Sequence, residues 1–209
     1  MITSTANARI KAARKLHRAR ARRQQQRLLI EGVRLVEDAW QAGVRPEILF
    51  VEPERLAGNL RGEALVETLT ASGVLALSCT PDVFAALTET VTPQGLAAIV
   101  PLPAFTPPAN PTLVLVLDRV RDPGNAGTLL RSAEAAGVEL VIFGPETVDL
   151  YNDKVVRAAM GGHFRLPVLQ LADWDTIDAH LSAAGARYLA DATGATAYDA
   201  VDWCGPAVL

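Results

Sequence analysis

Several features that are common in proteins are scarce in this sequence, and each scarcity argues against one class of protein. The 209 residues include only two cysteines, Cys79 and Cys204, and neither has the spacing of a metal site. Two isolated thiols are typical of a reducing compartment. No apolar run approaches the roughly 20 residues that span a bilayer. The basic start lacks the apolar segment of a secretion signal. We therefore expect a cytoplasmic protein without a metal or a membrane partner, although composition leaves an organelle transit peptide open.

Acidic residues are scarce in the first 45 residues, although the whole chain has a formal net charge of −3. This segment has eleven lysines and arginines against three acids, whereas residues 46–209 have nine basic and twenty acidic side chains. A basic arm on an acidic body is typical of proteins that bind polyanions. Residues 1–30 contain no Phe, Trp or Tyr, so we expect the arm to contact RNA phosphates rather than to stack on bases.

The arm is predicted to form one helix over residues 6–24. At 100° per residue, five of its basic side chains fall within an arc about 100° wide. We predict that these five side chains bind RNA, with a solvated helix as the alternative: Lys11, Arg14, Lys15, Arg18 and Arg22.

A proline-rich stretch at residues 101–111 is predicted to be a stiff linker between two α/β domains, at residues 1–100 and 112–209. Its five prolines can neither continue a helix nor join a sheet ladder. Helices and strands alternate on both sides of it. The helices expected after the arm are 31–40, 62–71, a short one from residue 81, 126–136, 153–160 and 174–184. The strands expected are 48–51, 74–77, 96–100, 113–117, 140–143, 187–190 and 205–209.

Residues 117–138 read as a strand, a turn that contains glycine, and a helix. We expect Asn125 to cap this helix, and Gly124 and Gly127 to let a ligand approach the backbone at its anion-attracting N-terminus. Arg131 lies two turns further along. A plain turn with a surface arginine is one alternative, and a loop that handles nucleotides is another. The stretch is neither a dinucleotide fingerprint nor a Walker A loop, because no lysine follows the glycines.

The same stretch resembles, almost residue for residue, the first signature motif of the SpoU (TrmH) family of RNA 2'-O-ribose methyltransferases. Residues 153–168 resemble a second motif of the family, with Ala159 where serine is common. Segments 29–34 and 92–97 resemble the start and end of its substrate-binding domain. The resemblance implies a small α/β substrate-binding domain with a ribosomal-protein-like fold, followed by an α/β trefoil-knot methyltransferase domain.

The function that the resemblance implies is transfer of a methyl group from S-adenosylmethionine to a ribose 2'-hydroxyl of ribosomal or transfer RNA, by a homodimer. It implies that Arg131 and Asn125 are catalytic and that Thr193 and Gly194 line the adenosine pocket. Because arginine stays protonated, we expect Arg131 to stabilise the developing alkoxide rather than to act as a base. Arg157 is predicted to contact RNA phosphate, with a solvated helix position as the alternative.

Two later motifs of the family, a G-x-E-x-x-G loop and an I-P-M…S-L-N segment, do not occur in these 209 residues. Relatives form most of the methyl-donor pocket from them. We therefore expect a methyltransferase domain that lacks its last segment, with its final strand at 205–209 left as an exposed apolar edge. We expect these residues alone to be inactive. A non-catalytic RNA-binding protein is the alternative function, and His163 is expected to be structural.

Overall fold

The computed structural model describes residues 1–181 and 185–209, and the chain forms two compact units. The first unit comprises Met1–Pro103 with Tyr151–Asp153, and the second comprises Ala104–Leu150 with Lys154–Leu209. The boundary at residue 103 lies within the proline-rich stretch, where residues 102–112 form neither helix nor strand. The short segment at 151–153 differs from the expected division, because it belongs to the first unit. No described helix is long and apolar enough to cross a bilayer.

The first unit contains a four-stranded sheet in the order β1-β4-β2-β3. Strands β2 and β3 are parallel, and β4 is antiparallel to both of its neighbours. The strands are β1 (Arg27–Glu31), β2 (Ile48–Val51), β3 (Leu75–Ser78) and β4 (Leu96–Pro101). The helices are α1 (Ala8–Lys15), α2 (Ala19–Gln25), α3 (Val33–Gln41), α4 (Pro53–Leu56), α5 (Leu60–Ala71) and α6 (Pro81–Leu87).

The basic arm is packed onto this unit by one face of α1. Ile10, Ala13 and Leu16 recur at intervals of three and enter the same core cluster as Phe50 and Phe84. All five residues are buried. Since that face of α1 is held in the core, its basic face is presented on a fixed support.

The single arm helix predicted for residues 6–24 is wrong, because the chain turns between α1 and α2. The guanidinium of Arg22 donates to the carbonyl oxygens of Leu16 and His17, at 2.8 Å each. These carbonyls lie at the end of α1, where basic side chains commonly bind unpaired helix carbonyls. Arg22 is only 3% exposed. The structure therefore removes Arg22 from the predicted RNA-binding face.

The two first-unit segments that resemble the family lie side by side. Gly32 N donates to Leu96 O at 2.9 Å, and Val33 N donates to Gln94 Oε1 at 3.0 Å. Gln94 thus caps the start of α3, where a backbone N–H has no partner within the helix. Residues 29–34 and 92–97 are therefore held together by hydrogen bonds at the start of α3.

The second unit contains a five-stranded sheet in the order β7-β6-β5-β9-β8, and all four of its strand pairings are parallel. The strands are β5 (Leu113–Leu117), β6 (Leu140–Phe143), β7 (Val168–Gln170), β8 (Ala186–Arg187) and β9 (Ala207–Val208). The helices are α7 (Pro123–Ala135), α8 (Asp153–Ala158) and α9 (Trp174–Leu181). The last three residues of the helix expected at 174–184 lie outside the described residues.

The final strand is not the exposed edge that the sequence predicted. Strand β9 lies between β5 and β8, and Ala207 and Val208 are only 2% and 5% exposed. Leu209 continues the pairing, since its N–H donates to Val114 O at 2.9 Å. The expectation failed because position in a parallel sheet is set by crossover connections and not by order along the chain.

Candidate functional site

Helix α7 of the second unit begins at the edge of the sheet where the parallel strands end, which is where α/β proteins bind ligands. Asp122 caps it, because its Oδ1 accepts a hydrogen bond of 2.7 Å from Asn125 N. Pro123 occupies the first turn. The prediction that Asn125 caps the helix is therefore wrong. The helix starts earlier because proline is favoured at its first position.

The side chain of Asn125 is consequently not used as a cap. Asn125, Thr128 and Arg131 follow one another at intervals of three along α7, and all three are exposed. Residues three apart are neighbours on a helix surface. Within the described part of the chain, none of these side chains has a hydrogen bond or ion pair. The structure thus brings the two predicted catalytic residues into one polar row. Thr128 was missed, although its spacing from both residues could have revealed it.

Gly127 packs against a helix rather than leaving space for a ligand. A Cβ atom placed on Gly127 would lie 2.5 Å from both Ala158 Cβ and Val155 O. Only glycine permits this approach between α7 and α8, so the two signature motifs of the second unit are joined at this position. The expectation that Gly127 exposes its backbone to a ligand is wrong. A nucleotide loop built on this glycine loses its support for the same reason.

Two loops are tied together beside the start of α7. The loop after β5 carries Arg119 and Arg121, and the loop after β6 carries Glu146, which forms ion pairs with both arginines. Arg119 and Glu146 both adopt positive φ angles, 54° and 55°, a conformation uncommon outside glycine. Val148 N also donates to Val120 O at 3.0 Å. The loops therefore form a cross-linked support, which no sequence motif had indicated.

Thr193 and Gly194 lie in an exposed turn that follows β8. The backbone N–H and the hydroxyl of Thr193 both donate to Asp191 Oδ1, at 2.7 Å each. The backbone hydrogen bond from Thr193 is the largest cause of the lowered pKa of Asp191. Strand β8 is two positions from β5 in the sheet, about 10 Å at ordinary strand spacing. The turn thus follows a strand near the one that leads into α7.

Arg157 lies in the last turn of α8 and is half-buried. Its side chain has no hydrogen bond or ion pair within residues 1–181 and 185–209. His163 has a structural setting instead, since its Nε2 donates to Leu150 O at 2.8 Å and its ring is buried. Burial lowers the pKa of His163 to about 4, so the ring is neutral at pH 7.

The first unit presents an open groove of about 630 Å³ between α1 and α6. Four of its lining side chains are basic and have no hydrogen bond or ion pair to any other described residue: Lys11, Arg14, Lys15 and Arg18. The other lining residues are His17, Ala85, Ala86, Thr88 and Glu89. Unneutralised cations around an open groove attract phosphate groups. The structure thus brings together four of the five predicted RNA-binding residues of the arm.

His17 lies between two hydrogen-bond acceptors within this groove. Its Nδ1 lies 2.6 Å from Asp153 Oδ2 and its Nε2 lies 2.9 Å from Leu87 O. A protonated ring donates from both nitrogens and so satisfies the Leu87 carbonyl and an ionised Asp153 together. The hydrogen bond to Asp153 raises the pKa of His17, and burial opposes that rise. One ligand atom each from His17, Glu89 and Asp153 lies within 4.8 Å of the others. The short hydrogen bond, however, already uses the ring nitrogen that would bind a cation.

Comparison with known proteins identifies both halves of the chain. Residues 7–98 match the MRM3-like substrate binding domain, and residues 112–209 match the SpoU rRNA Methylase family. The 23S rRNA (guanosine(2553)-2'-O)-methyltransferase RlmP of Bacillus subtilis is 38% identical over 170 residues, which cover 81% of this chain and 64% of that protein. The chain therefore spans just under two thirds of this relative's length.

Two solved structures agree in fold over most of their length. An RNA 2'-O ribose methyltransferase has a TM-score of 0.69 and 32% identity, with coverage of 89% of this chain and 71% of that one. The AdoMet-bound rRNA methyltransferase from Sinorhizobium meliloti has a TM-score of 0.77 and 30% identity, with coverage of 99% and 78%. The predicted fold class, a substrate-binding α/β domain followed by a SpoU-type domain, is confirmed. The chain belongs to the SpoU family of RNA methyltransferases.

Proposed function

We propose that the whole protein transfers a methyl group from S-adenosylmethionine to a ribose 2'-hydroxyl of ribosomal RNA. The observation that carries this proposal is the row of unpaired side chains Asn125, Thr128 and Arg131 on α7, in a chain of this family. The relative from Bacillus subtilis is named as a 23S rRNA 2'-O-methyltransferase, and the structure from Sinorhizobium meliloti is described as AdoMet-bound.

The proposed chemistry needs a positive charge at the ribose oxygen. A ribose hydroxyl is a weak nucleophile, and negative charge develops on its oxygen as its proton leaves. No described carboxylate neutralises Arg131, so its guanidinium can stabilise that charge in the transition state. Asn125 offers both a donor and an acceptor, which suits it to hold the neighbouring ribose and phosphate.

The donor site is proposed to include Thr193 and Gly194. S-adenosylmethionine supplies an electrophilic methyl group when it is bound. A Cβ on Gly194 would lie 3.2 Å from Asp191 O, so glycine keeps this turn tight. The Thr193 hydroxyl donates to Asp191 and keeps its lone pairs to accept from a ligand. The described residues thus fit one side of an adenosine site, and these two would contact the adenosine.

RNA is proposed to bind to both units through arginine and lysine side chains. Lys11, Arg14, Lys15 and Arg18 would hold phosphates in the groove of the first unit, and Arg157 would contact phosphate in the second. The support is that these side chains are unpaired within the described residues. When exposed lysines and arginines bind phosphates, the counterions condensed on the RNA are released, which favours binding at low salt.

The test is a methyl-transfer assay with the full-length protein, tritiated S-adenosylmethionine and ribosomal RNA. Arg131→Ala should lower kcat about 100- to 1000-fold, the usual loss for a group that stabilises developing charge. The affinity for S-adenosylmethionine should stay unchanged, because the contact forms in the transition state. Ser132→Ala, at the next exposed position of α7, is the matched control and should keep full activity. Normal turnover by Arg131→Ala would exclude the assigned role.

A homodimer in the cytoplasm is the proposed working state. Large apolar side chains of the second unit are exposed, including Trp174 at 45% and Tyr198 at 82%, and a dimer interface would bury side chains of this kind. Cys79 and Cys204 are both free thiols, which supports a reducing compartment. Light scattering of the full-length protein tests the dimer, since a monomeric mass at micromolar concentration would contradict it. Fluorescence microscopy of the tagged protein tests the location.

A further inference from the structure

The groove of the first unit has two walls of different chemistry. The wall from α1 and the turn after it carries the four unpaired cations Lys11, Arg14, Lys15 and Arg18. The opposite wall, at the end of α6, carries Thr88 and Glu89. A simple phosphate site needs only the first wall. The hydroxyl and carboxylate of the second wall would suit a different part of the ligand, one that donates hydrogen bonds.

Thr88 lines the groove and has a hydroxyl group without a described partner. Its side chain is half-buried, and its Oγ1 is buried without a hydrogen-bond partner among the described residues. Buried polar groups without partners are rare, because the lost hydrogen bond with water is not replaced. Rotation about χ1 moves the hydroxyl to another of the three staggered positions. A ligand in the groove that offered a polar partner would stabilise the rotamer with the hydroxyl turned outward.

Glu89 places a carboxylate in the groove, which accepts hydrogen bonds but repels phosphate through its negative charge. Its side chain is 54% exposed, and its Oε1 lies 3.9 Å from His17 Nδ1. The nearer partner of that nitrogen is Asp153, at 2.6 Å. Glu89 therefore keeps most of its capacity to accept hydrogen bonds. A carboxylate beside a phosphate site lowers the affinity for any polyanion, unless the polyanion also brings a donor to the carboxylate.

The donor that distinguishes RNA from DNA is the ribose 2'-hydroxyl. We propose that the groove binds the ribose–phosphate backbone of RNA, with the cations on phosphate and with Thr88 and Glu89 on a 2'-hydroxyl. The first unit would then select RNA over DNA before the methyl-transfer site is engaged. A volume of about 630 Å³ lies within the roughly 300–1,000 Å³ of ordinary ligand sites. This inference rests on the proposed function, because it assigns the RNA contacts of the same basic groove.

The experiment compares RNA and DNA oligonucleotides of one sequence, bound to the full-length protein and measured by fluorescence anisotropy. Thr88→Val keeps the shape of the side chain and removes its hydroxyl. The ratio of RNA affinity to DNA affinity should fall about fivefold in Thr88→Val, the effect of one net hydrogen bond, with DNA affinity unchanged. Glu89→Gln should raise DNA affinity, because the repulsion is gone, and should also lower the ratio. Thermal melting should show both variants folded, since neither side chain forms a hydrogen bond with a described residue.

Lys15→Ala is the control for the cationic wall. It should weaken RNA and DNA equally and leave their ratio unchanged. An unchanged ratio in Thr88→Val, with the lysine variant weakened, would overturn the 2'-hydroxyl assignment and leave a plain phosphate groove. Unchanged binding of both nucleic acids in Lys15→Ala would remove RNA from this groove, and the assignment with it. The methyl-transfer assay on Arg131 reports separately on the proposed activity.

Discussion

The two units are both α/β layers, but they use charge in opposite ways. The first has thirteen basic and eleven acidic residues, and it leaves four cations of one groove unpaired. The second has seven basic and twelve acidic residues and pairs most of its arginines with carboxylates. Among the described residues, the second-unit arginines without an ion pair are Arg131 and Arg157. Cations without an ion pair to a described residue are thus grouped around one groove in the first unit, whereas in the second unit few described arginines lack an ion pair.

The same contrast extends to histidine. His17 of the first unit lies between Asp153 and the Leu87 carbonyl, and the hydrogen bond to Asp153 raises its pKa, whereas His163 of the second is buried and neutral. The two units should therefore respond to pH in opposite directions. Three predictions test these differences and one tests the packing of the second unit, from the largest expected effect to the smallest.

The largest effect is acid destabilisation of the second unit through His163. Its pKa is about 4 in the folded state and about 6.5 when unfolded. As pH falls below 6.5 the unfolded chain binds a proton that the folded chain excludes, so stability is lost, up to about 3 kcal/mol at pH 4. Hydrogen exchange of second-unit peptides between pH 7 and pH 4 measures it. His163→Gln should flatten the loss, while His180→Gln, at an exposed position, should not.

The second effect concerns the free cations of the first unit. Changing Lys11, Arg14, Lys15 and Arg18 together to alanine should lower RNA affinity about 100-fold and reduce the slope of log K against log salt by about three. Filter binding of a structured RNA at several salt concentrations measures both. Arg27 and Arg61 are exposed but ion-paired, so the Arg27→Ala, Arg61→Ala double variant is the control and should reduce the slope less. An unchanged slope in the fourfold variant would place the RNA site elsewhere.

The third effect concerns packing in the second unit. Gly127→Ala forces a Cβ to within 2.5 Å of Ala158 Cβ and Val155 O, and overpacking of this kind costs about 1–3 kcal/mol. Gly205→Ala is the control, because a Cβ there meets nothing within 4 Å. Urea unfolding of both variants should show a lower midpoint for Gly127→Ala alone. Equal midpoints would mean that α7 and α8 separate at little cost.

The sequence predicted the elements that have strong local patterns. The fully apolar run of β5 is observed at the expected bounds, and α7 ends before Gly137 as expected, although it begins three residues earlier than predicted. Strand β1 was missed because its apolar run, Leu28 to Ile30, is short, and short apolar runs do not determine structure. Order along the chain does not specify contacts between distant residues. The Arg22 hydrogen bonds that end the arm helix and the place of β9 between β5 and β8 both depend on such contacts.

The candidate site was predicted in the same partial way. Asn125 and Arg131 were predicted from the resemblance of residues 117–138 to the family's first signature motif, and their catalytic roles stay predictions. The true cap, Asp122, could have been identified because Pro123 follows it and proline favours the first helical position. Thr88 and Glu89 could not, since they become part of a groove only when α1 packs against α6. A single sequence therefore does not reveal the roles of residues that depend on packing between helices and strands.

The smallest expected effect is the pH response of the first unit, which should run opposite to that of the second. The pKa of His17 is raised chiefly by its hydrogen bond to Asp153. The folded state therefore binds a proton more tightly than the unfolded chain. The resulting stability is fully present below pH 6.5, the ordinary value, and is lost as pH rises through the raised pKa. Hydrogen exchange of first-unit peptides from pH 6 to pH 9 measures this loss.

His17→Gln should abolish the loss of stability, and Asp153→Asn should nearly abolish it, because the largest cause of the pKa shift is gone. Glu89→Gln should have little effect, since Glu89 is the last of the causes. If first-unit exchange in the wild type instead slowed with rising pH, after correction for intrinsic exchange, His17 would be neutral in the folded state and the contrast with His163 would fail.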